Sequence, residues 1–302
     1  MTRALFITTE TADCGNHIAA WDAVASSPAK RITFDHAALN NAWTFADEAR
    51  IENPDVIFYI GAFQGRGNPN LGDFRNLRKV APLVHLCSDS GDEPWHPVLK
   101  HYYRGSCFDL QVGIDGPLEA PVDLAVVTPV DFRAWEGPEL DRDIRCGFSG
   151  GFAGRGDRWM IIGTLAATKH VTVRLRAHDY PEHVRFMRRC KMTINVSNTG
   201  SGVFHHLKGR AVEAGWAKSA LIELTESPAS HWFPKGSFIP YGGVTDAFKI
   251  IENASDEQID DTAAMLHEFV RRRCHPAVIY GEILDRIKVK NDLVYPVARP
   301  AA

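Results

Sequence analysis

The side chains best suited to chemistry lie in the segment HHLKGRAVEAG, residues 205–215, which contains two histidines, Lys208 and Glu213. Glu213 follows Lys208 by five residues, which is about one and a half turns of an α-helix. An ammonium group can neutralise a phosphate, and an ionised carboxylate, which only accepts hydrogen bonds, suits a ligand with two hydroxyl donors such as a ribose diol. A simpler interpretation stays open, in which Lys208 and Arg210 lie on a solvated surface and Glu213 pairs with a neighbouring cation.

Two glycine-rich loops have the layout of a phosphate-binding cradle. The first, CGFSGGFAGRGDRW at 146–159, follows an apolar run, opens a helical pattern and carries Arg155 and Arg158. The second, NTGSG at 198–202, precedes the segment with Lys208. Backbone N–H groups of such loops and the partial positive charge of a helix N-terminus bind anions, so two of them in one domain can share a diphosphate. Neither loop is a Walker motif or a clean G-x-G-x-x-G fingerprint.

Short apolar runs alternate with segments of helical periodicity along the chain, which predicts parallel α/β sheets with crossover helices. The runs fall into two series. The first has strands predicted at 4–9, 31–34, 55–61, 82–88, 108–113 and 124–129, with helices at 16–26, 40–52, 71–80 and 95–104. The second has strands predicted at 144–150, 171–176, 191–197, 220–224 and 237–241, with helices at 157–168, 181–190, 207–217, 245–253, 256–273 and 276–289.

A segment rich in Gly, Pro and charge, DFRAWEGPELDRD at 131–143, separates the two series and is the predicted linker. We therefore expect two doubly wound, Rossmann-like α/β domains at 1–135 and 140–290, followed by a short tail at 291–302. Ligands of open α/β sheets bind outside the carboxyl ends of the strands. Two such domains in tandem predict a cleft between those ends, with the reactive residues in strand-to-helix loops.

Composition argues against several classes of protein. The chain has 302 residues, of which 45% are hydrophobic and 24% charged, as is typical of globular proteins. A net charge of −3 argues against a protein that coats nucleic acid or an anionic membrane. Six cysteines without a C-x-x-C pair are typical of reduced thiols and argue against a zinc site. The sequence has no secretory signal and no run of 18 apolar residues, so we expect a cytoplasmic protein without a membrane span.

Two segments, LKGRAVEAGWAKSALIELTESPASHWFPKGSFIPYGG and ASDEQIDDTAAMLHEFVRRRCHPAVIYGEIL, resemble the carboxyl-terminal half of GT-B glycosyltransferases, specifically the group named for the CgeB spore-maturation protein. The similar elements are a Lys-x-Arg ahead of a helix glutamate, a small-residue turn into a strand, an aromatic-Pro-x-Gly segment and two closing helices. In the first predicted domain, NPDVIFYIGAFQ, LRKVAPLVHLCSD and FDLQVGIDG are similar to the amino-terminal half of the same group.

This resemblance implies a GT-B fold with a nucleotide-sugar donor on the second domain, an acceptor on the first and no metal requirement. Glu213 would occupy the position of the ribose-binding glutamate, with Lys208 and the loop at 149–158 near the diphosphate. Many retaining members have a second glutamate eight residues earlier; here that position is His205, so the stereochemical outcome stays open. The residues expected at the donor are Ser149, Gly150, Arg155, Arg158, Gly202, His205, His206, Lys208 and Glu213.

A catalytic base for an inverting enzyme is expected from the first domain. The loops TETADCGNH at 9–17 and CSDSGDEPWH at 87–96 follow predicted strands and offer His17 and Asp89 as candidates. Each could instead be a surface or capping residue. Asp141 and Asp143 match the Asp-x-Asp pattern of metal-dependent transferases, but they fall in the predicted linker and are interpreted as incidental.

The sequence thus predicts a metal-independent glycosyltransferase that moves a sugar from a nucleoside diphosphate to a hydroxyl acceptor. No cofactor is expected, only a nucleotide-sugar co-substrate, for which a UDP-linked sugar is the candidate. A polysaccharide, a protein, a small molecule and a modified DNA base all stay open as acceptors. The alternative is a non-catalytic binding or assembly protein of the same fold. A nicotinamide oxidoreductase is disfavoured because the loop after the first strand lacks a G-x-G-x-x-G pattern.

Overall fold

The computed structural model describes residues 1–9, 14–35, 45–61, 68–88, 99–100, 107–116, 118–151, 156–175, 179–197 and 206–294. The chain divides into two compact units, one formed by Met1–Asp131 with His275–Ala302 and the other by Phe132–Cys274. Each unit contains a parallel sheet whose strand order shows crossover connections. The predicted α/β class with two doubly wound units is confirmed.

The sheet of the first unit has six strands in the order β2-β1-β3-β4-β5-β6. These strands are β1 (Ala4–Thr9), β2 (Lys30–Phe34), β3 (Val56–Ile60), β4 (Leu83–Cys87), β5 (Leu110–Ile114) and β6 (Leu124–Val126). The helices described in this unit are α1 (Cys14–Asp22), α2 (Phe45–Glu52), α3 (Leu71–Leu77) and α10 (Pro276–Arg286). Because β1, β3, β4 and β5 are buried along their whole length, their sequences are mostly apolar rather than alternating between apolar and polar residues. The helix predicted at 95–104 falls largely outside the described residues.

The sheet of the second unit has five strands in the order β11-β10-β9-β7-β8. These strands are β7 (Ile144–Ser149), β8 (Thr172–Arg174), β9 (Cys190–Ile194), β10 (Ala220–Leu224) and β11 (Ile239–Tyr241). The helices are α4 (Gly156–Ala167), α5 (Tyr180–Arg189), α6 (Arg210–Trp216), α7 (Ala229–Trp232), α8 (Val244–Asn253) and α9 (Asp256–Arg273), preceded by a 3-10 turn at Phe132–Trp135. None of the helices in the described part of the chain is long and apolar enough to cross a membrane.

Helix α10 belongs to the first unit, whereas the sequence pattern placed it in a second domain at 140–290. The indole of Trp21 on α1 packs edge-on against the ring of Tyr280, with 5.2 Å between the ring centroids. The hydroxyl of Tyr280 donates a 2.8 Å hydrogen bond to the backbone oxygen of His17. Burial of these aromatic surfaces joins the end of the chain to its beginning.

Helix α6 lies close against α9 because Gly215 has no side chain. A Cβ atom at Gly215 would lie 2.6 Å from Cγ2 of Val270, so the two backbones could not approach as closely with any other residue. The helix is short and six of its seven residues are buried. This packing fixes the position of Glu213, which lies in the first turn of α6.

Candidate functional site

The carboxyl ends of β7 and β9 form the topological switch point of the second sheet. The chain leaves β7 to form β8 on one side of it and then returns to form β9 on the other side. Ligands of open α/β sheets bind in the crevice that such a reversal creates. Ser149 ends β7 and Asn195 directly follows β9, so both lie at this point.

Arg210, the first residue of α6, joins these two strand ends. Its Nε donates to the backbone oxygen of Ser149 at 2.6 Å, and its Nη1 donates to Oδ1 of Asn195 at 2.7 Å. The guanidinium also lies 4.5 Å from the centre of the Phe148 ring, where a cation is attracted by the π system. The planar fork of arginine allows these contacts at once. The interpretation of Arg210 as solvated surface is therefore wrong.

Gly150 leaves the room that the Arg210 side chain occupies. Its φ is +134°, a value that residues with a side chain rarely adopt, and a Cβ atom here would lie 2.3 Å from Nη2 of Arg210. At the next glycine, Gly151, no atom of the described residues lies within 4 Å of the corresponding position. Of these two glycines, the contacts of the described residues require a glycine only at position 150.

His183 on α5 connects Ser149 to Glu213. Its Nδ1 lies 2.8 Å from Oγ of Ser149, and its Nε2 lies 3.1 Å from Oε2 of Glu213. An ionised carboxylate only accepts hydrogen bonds, so Nε2 must carry the proton and donate it. In neutral His183, Nδ1 is then the acceptor for the Ser149 hydroxyl. Tyr180 donates to the other oxygen of Glu213 over a longer distance of 3.4 Å.

Glu213 is buried and held in its ionised form. Burial by itself would raise the pKa of this carboxyl, but the attraction and hydrogen bond of His183, with the charge of Arg210 and the hydrogen bond of Tyr180, keep the pKa below its ordinary value. Arg210 thus lies close enough to Glu213 to act as the neighbouring cation of the simpler interpretation, and that interpretation stays open. The two oxygens of the carboxylate offer about four lone-pair sites, and the described residues supply hydrogen-bond donors to two of them, from Tyr180 and His183.

A second buried carboxylate, Glu223 on β10, lies next to Asn195 at the switch point. Its Oε2 accepts from Nδ2 of Asn195 at 2.6 Å and from Oγ of Ser197 at 3.0 Å, and its Oε1 accepts from the N–H of Leu224 at 2.9 Å. Burial raises the pKa of Glu223 to about 7 in spite of these donors. Asn195 thus donates to Glu223 and accepts from Arg210, which fixes the orientation of its amide.

The other predicted donor residues in the described part of the chain lie around this network. Arg158 is buried and donates from Nη2 to the backbone oxygen of Val196 at 2.9 Å, so it braces the segment that follows β9. His206 is buried, and burial, with the charge of Lys208, lowers its pKa to about 3. Lys208 has a φ of +74°, two residues before α6 begins.

Six of the predicted donor residues are described, and all belong to the second unit. They lie at the end of β7 and in the segment that follows it (Ser149, Gly150 and Arg158) or in the segment between β9 and the first turn of α6 (His206, Lys208 and Glu213). Asp89, Arg155, Gly202 and His205 lie outside the described residues. Sequence reasoning did not select His183, Asn195 or Glu223. Asn195 and Glu223 could have been found as polar residues at the end of, or within, apolar strands, whereas His183 in an amphipathic helix carries no distinguishing signal.

His17, the predicted base, lies in α1 of the first unit. Its side chain is buried, and burial lowers its pKa to about 4. Nδ1 of the ring is buried without a hydrogen-bond partner among the described residues. The imidazole is therefore neutral at physiological pH and has a nitrogen lone pair that can accept a proton.

Asp143 is engaged by a neighbouring arginine. Its Oδ1 accepts from Nε of Arg189 at 2.8 Å, and Arg189 also pairs with the other oxygen. The hydrogen bond of Arg189 lowers the pKa of this carboxyl. In the ranges that the structure describes, no group of three or more His, Cys, Asp and Glu side chains is arranged to hold a metal ion.

No protein-family model matches the sequence, and no curated protein is detectably similar to it in sequence. Similar solved structures do exist. Anabaena HepE in complex with UDP and glucose has a TM-score of 0.63 and 11% identity, with 95% of this chain and 100% of that chain covered. An alpha-glucosyltransferase in complex with UDP and a 13-mer DNA containing a central A:G mismatch has a TM-score of 0.62 and 10% identity, with 95% and 99% covered.

A glycosyltransferase from Rickettsia africae is also similar, with a TM-score of 0.59, 10% identity and coverage of 95% of this chain and 98% of that chain. In each case the likeness extends over both units of the chain. At such low identity it establishes a shared fold, and this fold is the GT-B class that the sequence predicts.

Proposed function

We propose that this protein is a glycosyltransferase that moves a sugar from a nucleoside diphosphate to a hydroxyl acceptor. The observation that carries the proposal is the network at the switch point of the second sheet, in which His183 orients a buried Glu213 and the charge of Arg210 helps to keep it ionised. A carboxylate held ionised at this location is suited to a ligand rich in hydroxyl donors. Support also comes from the fold, because HepE and the alpha-glucosyltransferase, which share it, are solved in complex with UDP.

The donor nucleotide is assigned to the second unit, and a UDP-linked sugar is the candidate. In this proposal Glu213 accepts hydrogen bonds from the ribose hydroxyls, while Lys208 and the loop that begins at Ser149 and Gly150 face the diphosphate. Arg158 braces the segment after β9 and adds positive charge. Arg155, Gly202, His205 and His206 complete the predicted donor residues.

The reaction needs a base for the acceptor and stabilisation of the leaving group. The acceptor oxygen forms a bond to the anomeric carbon of the sugar as the bond from that carbon to the diphosphate breaks. His17, with Asp89 as the second candidate, takes the proton from the acceptor hydroxyl. Backbone N–H groups at helix N-termini and the cations Lys208 and Arg158 stabilise the negative charge on the departing diphosphate, so no metal ion is required.

The proposed subgroup is the CgeB-like one, on the similarity of the segments around Glu213. The acceptor binds to the first unit and is a hydroxyl of a polysaccharide, a protein, a small molecule or a modified DNA base. The last of these gains support from the alpha-glucosyltransferase, whose structure contains DNA as well as UDP.

Calorimetric titration of the protein with UDP, ADP, GDP and UDP-glucose tests the donor assignment. We expect saturable binding of at least one nucleoside diphosphate and weaker binding of the matching monophosphate, because the diphosphate makes the charge-assisted contacts. Absence of binding to every nucleoside diphosphate and nucleotide sugar in such a panel would refute the proposal.

The alternative, a non-catalytic binding or assembly protein, is favoured by the environment of His17. A histidine whose pKa burial lowers to about 4 is a weak base. Release of UDP from UDP-glucose by the purified protein, measured with and without a hydroxyl acceptor, separates the two. An enzyme releases UDP, and a His17→Gln variant does so more slowly with unchanged donor affinity; a binding protein releases none.

A further inference from the structure

A cavity of about 340 Å³ lies in the second unit, at the amino ends of the strands, whereas the switch point lies at their carboxyl ends. Three of its lining residues each lie two positions before the start of a strand: Arg142 before β7, Arg188 before β9 and Lys218 before β10. Because the strands are parallel, these residues mark their amino ends, whereas Ser149 and Asn195 mark the carboxyl ends. We call this cavity the basic cavity. Its volume is within the range of about 300 to 1,000 Å³ that is usual for small-molecule sites.

Positive charge predominates in the basic cavity. Four cations line it, Arg142, Arg188, Lys218 and Arg271, against two carboxylates, Glu136 and Glu139. Lys218, Arg271 and both glutamates are exposed, whereas the two other arginines are half-buried. The lining thus has an excess of hydrogen-bond donors and of positive charge over acceptors.

The two half-buried arginines bond to backbone oxygens rather than to carboxylates. Arg142 donates to the carbonyls of Cys190 and Ala217, and Arg188 donates to those of Glu136 and Gly137. Neither forms an ion pair within the described part of the chain. Burial lowers the pKa of the Arg142 guanidinium, against the more distant attraction of Glu139 and Asp260. The carbonyl bonds hold both side chains in position, and neither guanidinium is in direct contact with a carboxylate of the described residues.

The other wall of the basic cavity is aromatic. Phe132, Trp135 and Trp216 line it, and the rings of Phe132 and Trp216 lie 5.9 Å apart with a tilt of 31°. Nε1 of Trp135 is buried and has no acceptor among the described residues. An apolar ring face can pack on these side chains while an anionic group reaches the cations.

We propose that the basic cavity is a binding site for a small phosphate ester that carries a ring, such as a sugar phosphate. The phosphate contacts Lys218 and Arg271, with Arg142 and Arg188 behind them, and the ring packs on Trp216 and Phe132. Fixed guanidinium groups match the geometry of phosphate oxygens, and aromatic side chains pack on apolar ring faces. The site is separate from the proposed donor site, because Arg142, Arg188 and Lys218 lie at the amino ends of the parallel strands, whereas Ser149 and Asn195 lie at the carboxyl ends. The assignment does not depend on whether the protein transfers sugars.

Binding is tested with glucose 6-phosphate, inorganic phosphate and glucose as calorimetric probes, each in the presence of saturating UDP to occupy a donor site. Glucose 6-phosphate is expected to bind more tightly than inorganic phosphate, and glucose is expected not to bind measurably. Glucuronate distinguishes a general anion site from a phosphate site and is expected to bind more weakly than the phosphate ester. Equal affinity for inorganic phosphate and glucose 6-phosphate would overturn the assignment of the ring to the aromatic wall.

Two substitutions at exposed residues test the site without disturbing the fold. Arg271→Gln and Lys218→Asn are each expected to weaken glucose 6-phosphate binding by roughly five- to tenfold, since each removes a charge-assisted bond. Asparagine suits position 218 because it tolerates the φ of +53° found there. Arg272→Gln is the matched control: Arg272 lies on the same helix and pairs with the same Glu268 as Arg271, but it does not line this cavity.

Unchanged affinity in both test variants, or an equal loss in the Arg272→Gln control, would overturn the proposal. Absence of glucose 6-phosphate binding to the wild type at millimolar concentration would overturn it as well. If no nucleoside diphosphate or nucleotide sugar binds but glucose 6-phosphate does, the proposed donor site is refuted and the phosphate-ester site in the basic cavity is still supported.

Discussion

Nε2 of His183 lies 3.1 Å from Oε2 of Glu213, while Nδ1 of the same ring lies 2.8 Å from Oγ of Ser149. A histidine thus connects the end of β7 to the first turn of α6. This connection fixes the direction in which the Glu213 carboxylate points and keeps it ionised. The proposed ribose contact depends on both properties.

His183→Gln should change the pH dependence of donor binding. Without the imidazole, the pKa of Glu213 should rise, because burial then acts against fewer stabilising partners. Wild type should retain UDP affinity as pH falls toward the ordinary carboxyl range, and the variant should lose it at a higher pH. The control is His170→Gln, which removes a similar histidine-carboxylate pair with Glu252 elsewhere in the unit. Superimposable binding profiles of the His183 variant and wild type between about pH 4 and pH 8 would show that His183 does not set the ionisation of Glu213.

Gly150→Ala should destabilise the protein and weaken nucleotide binding together. The new methyl group would strain a backbone with φ of +134° and would collide with Nη2 of Arg210. Strained backbone positions cost roughly 1 to 3 kcal/mol, which chemical denaturation measures readily. Gly151→Ala is the matched control, since no described residue has an atom within 4 Å of its added Cβ. Equal effects of the two alanines would mean that the Arg210 contact has no special importance.

Glu223→Gln should remove a pH dependence of stability. The folded protein holds the Glu223 proton up to a pKa of about 7, whereas the ordinary value is 4.5. The unfolded chain therefore loses this proton first, and wild-type stability falls as pH rises through that window. Relative to wild type, the variant should gain on the order of 3 kcal/mol in free energy of unfolding between about pH 4 and about pH 8. The exposed Glu226→Gln is the control, and a pH-independent difference for Glu223→Gln would contradict the expectation.

Turnover should persist in excess EDTA. In the proposed reaction, the cations and helix N-termini of the chain stabilise the diphosphate, and Asp143 of the linker is already paired with Arg189. UDP release from UDP-glucose, measured with and without EDTA, is the direct assay. Loss of activity with recovery on addition of Mg²⁺ or Mn²⁺ would contradict metal independence and would make Asp141 and Asp143 candidate ligands again.

The sequence was sufficient to predict the strands and to select residues near the switch point. It did not predict which side chains form hydrogen bonds with one another there. Buried parallel strands are recognisable because their apolar runs depend on local residue types alone. The partners of Glu213 are not local, since His183 and Ser149 reach it from other elements. The assignment of α10 failed for the same reason: helical periodicity shows that a face is buried, but not that Trp21 covers it.

The comparison of UDP with 2′-deoxy-UDP in wild type and Glu213→Gln tests the central claim most directly. Glu213 is proposed to accept both ribose hydroxyls, and hydrogen bonds to a charged group are worth about 1.5 to 3 kcal/mol, so Glu213→Gln should weaken UDP binding by roughly ten- to a hundredfold. Wild type should lose affinity for the deoxy nucleotide, and the variant should lose much less, because both changes remove parts of one interaction. If the two losses simply add, Glu213 does not contact the ribose, and its pairing with His183 is its whole role.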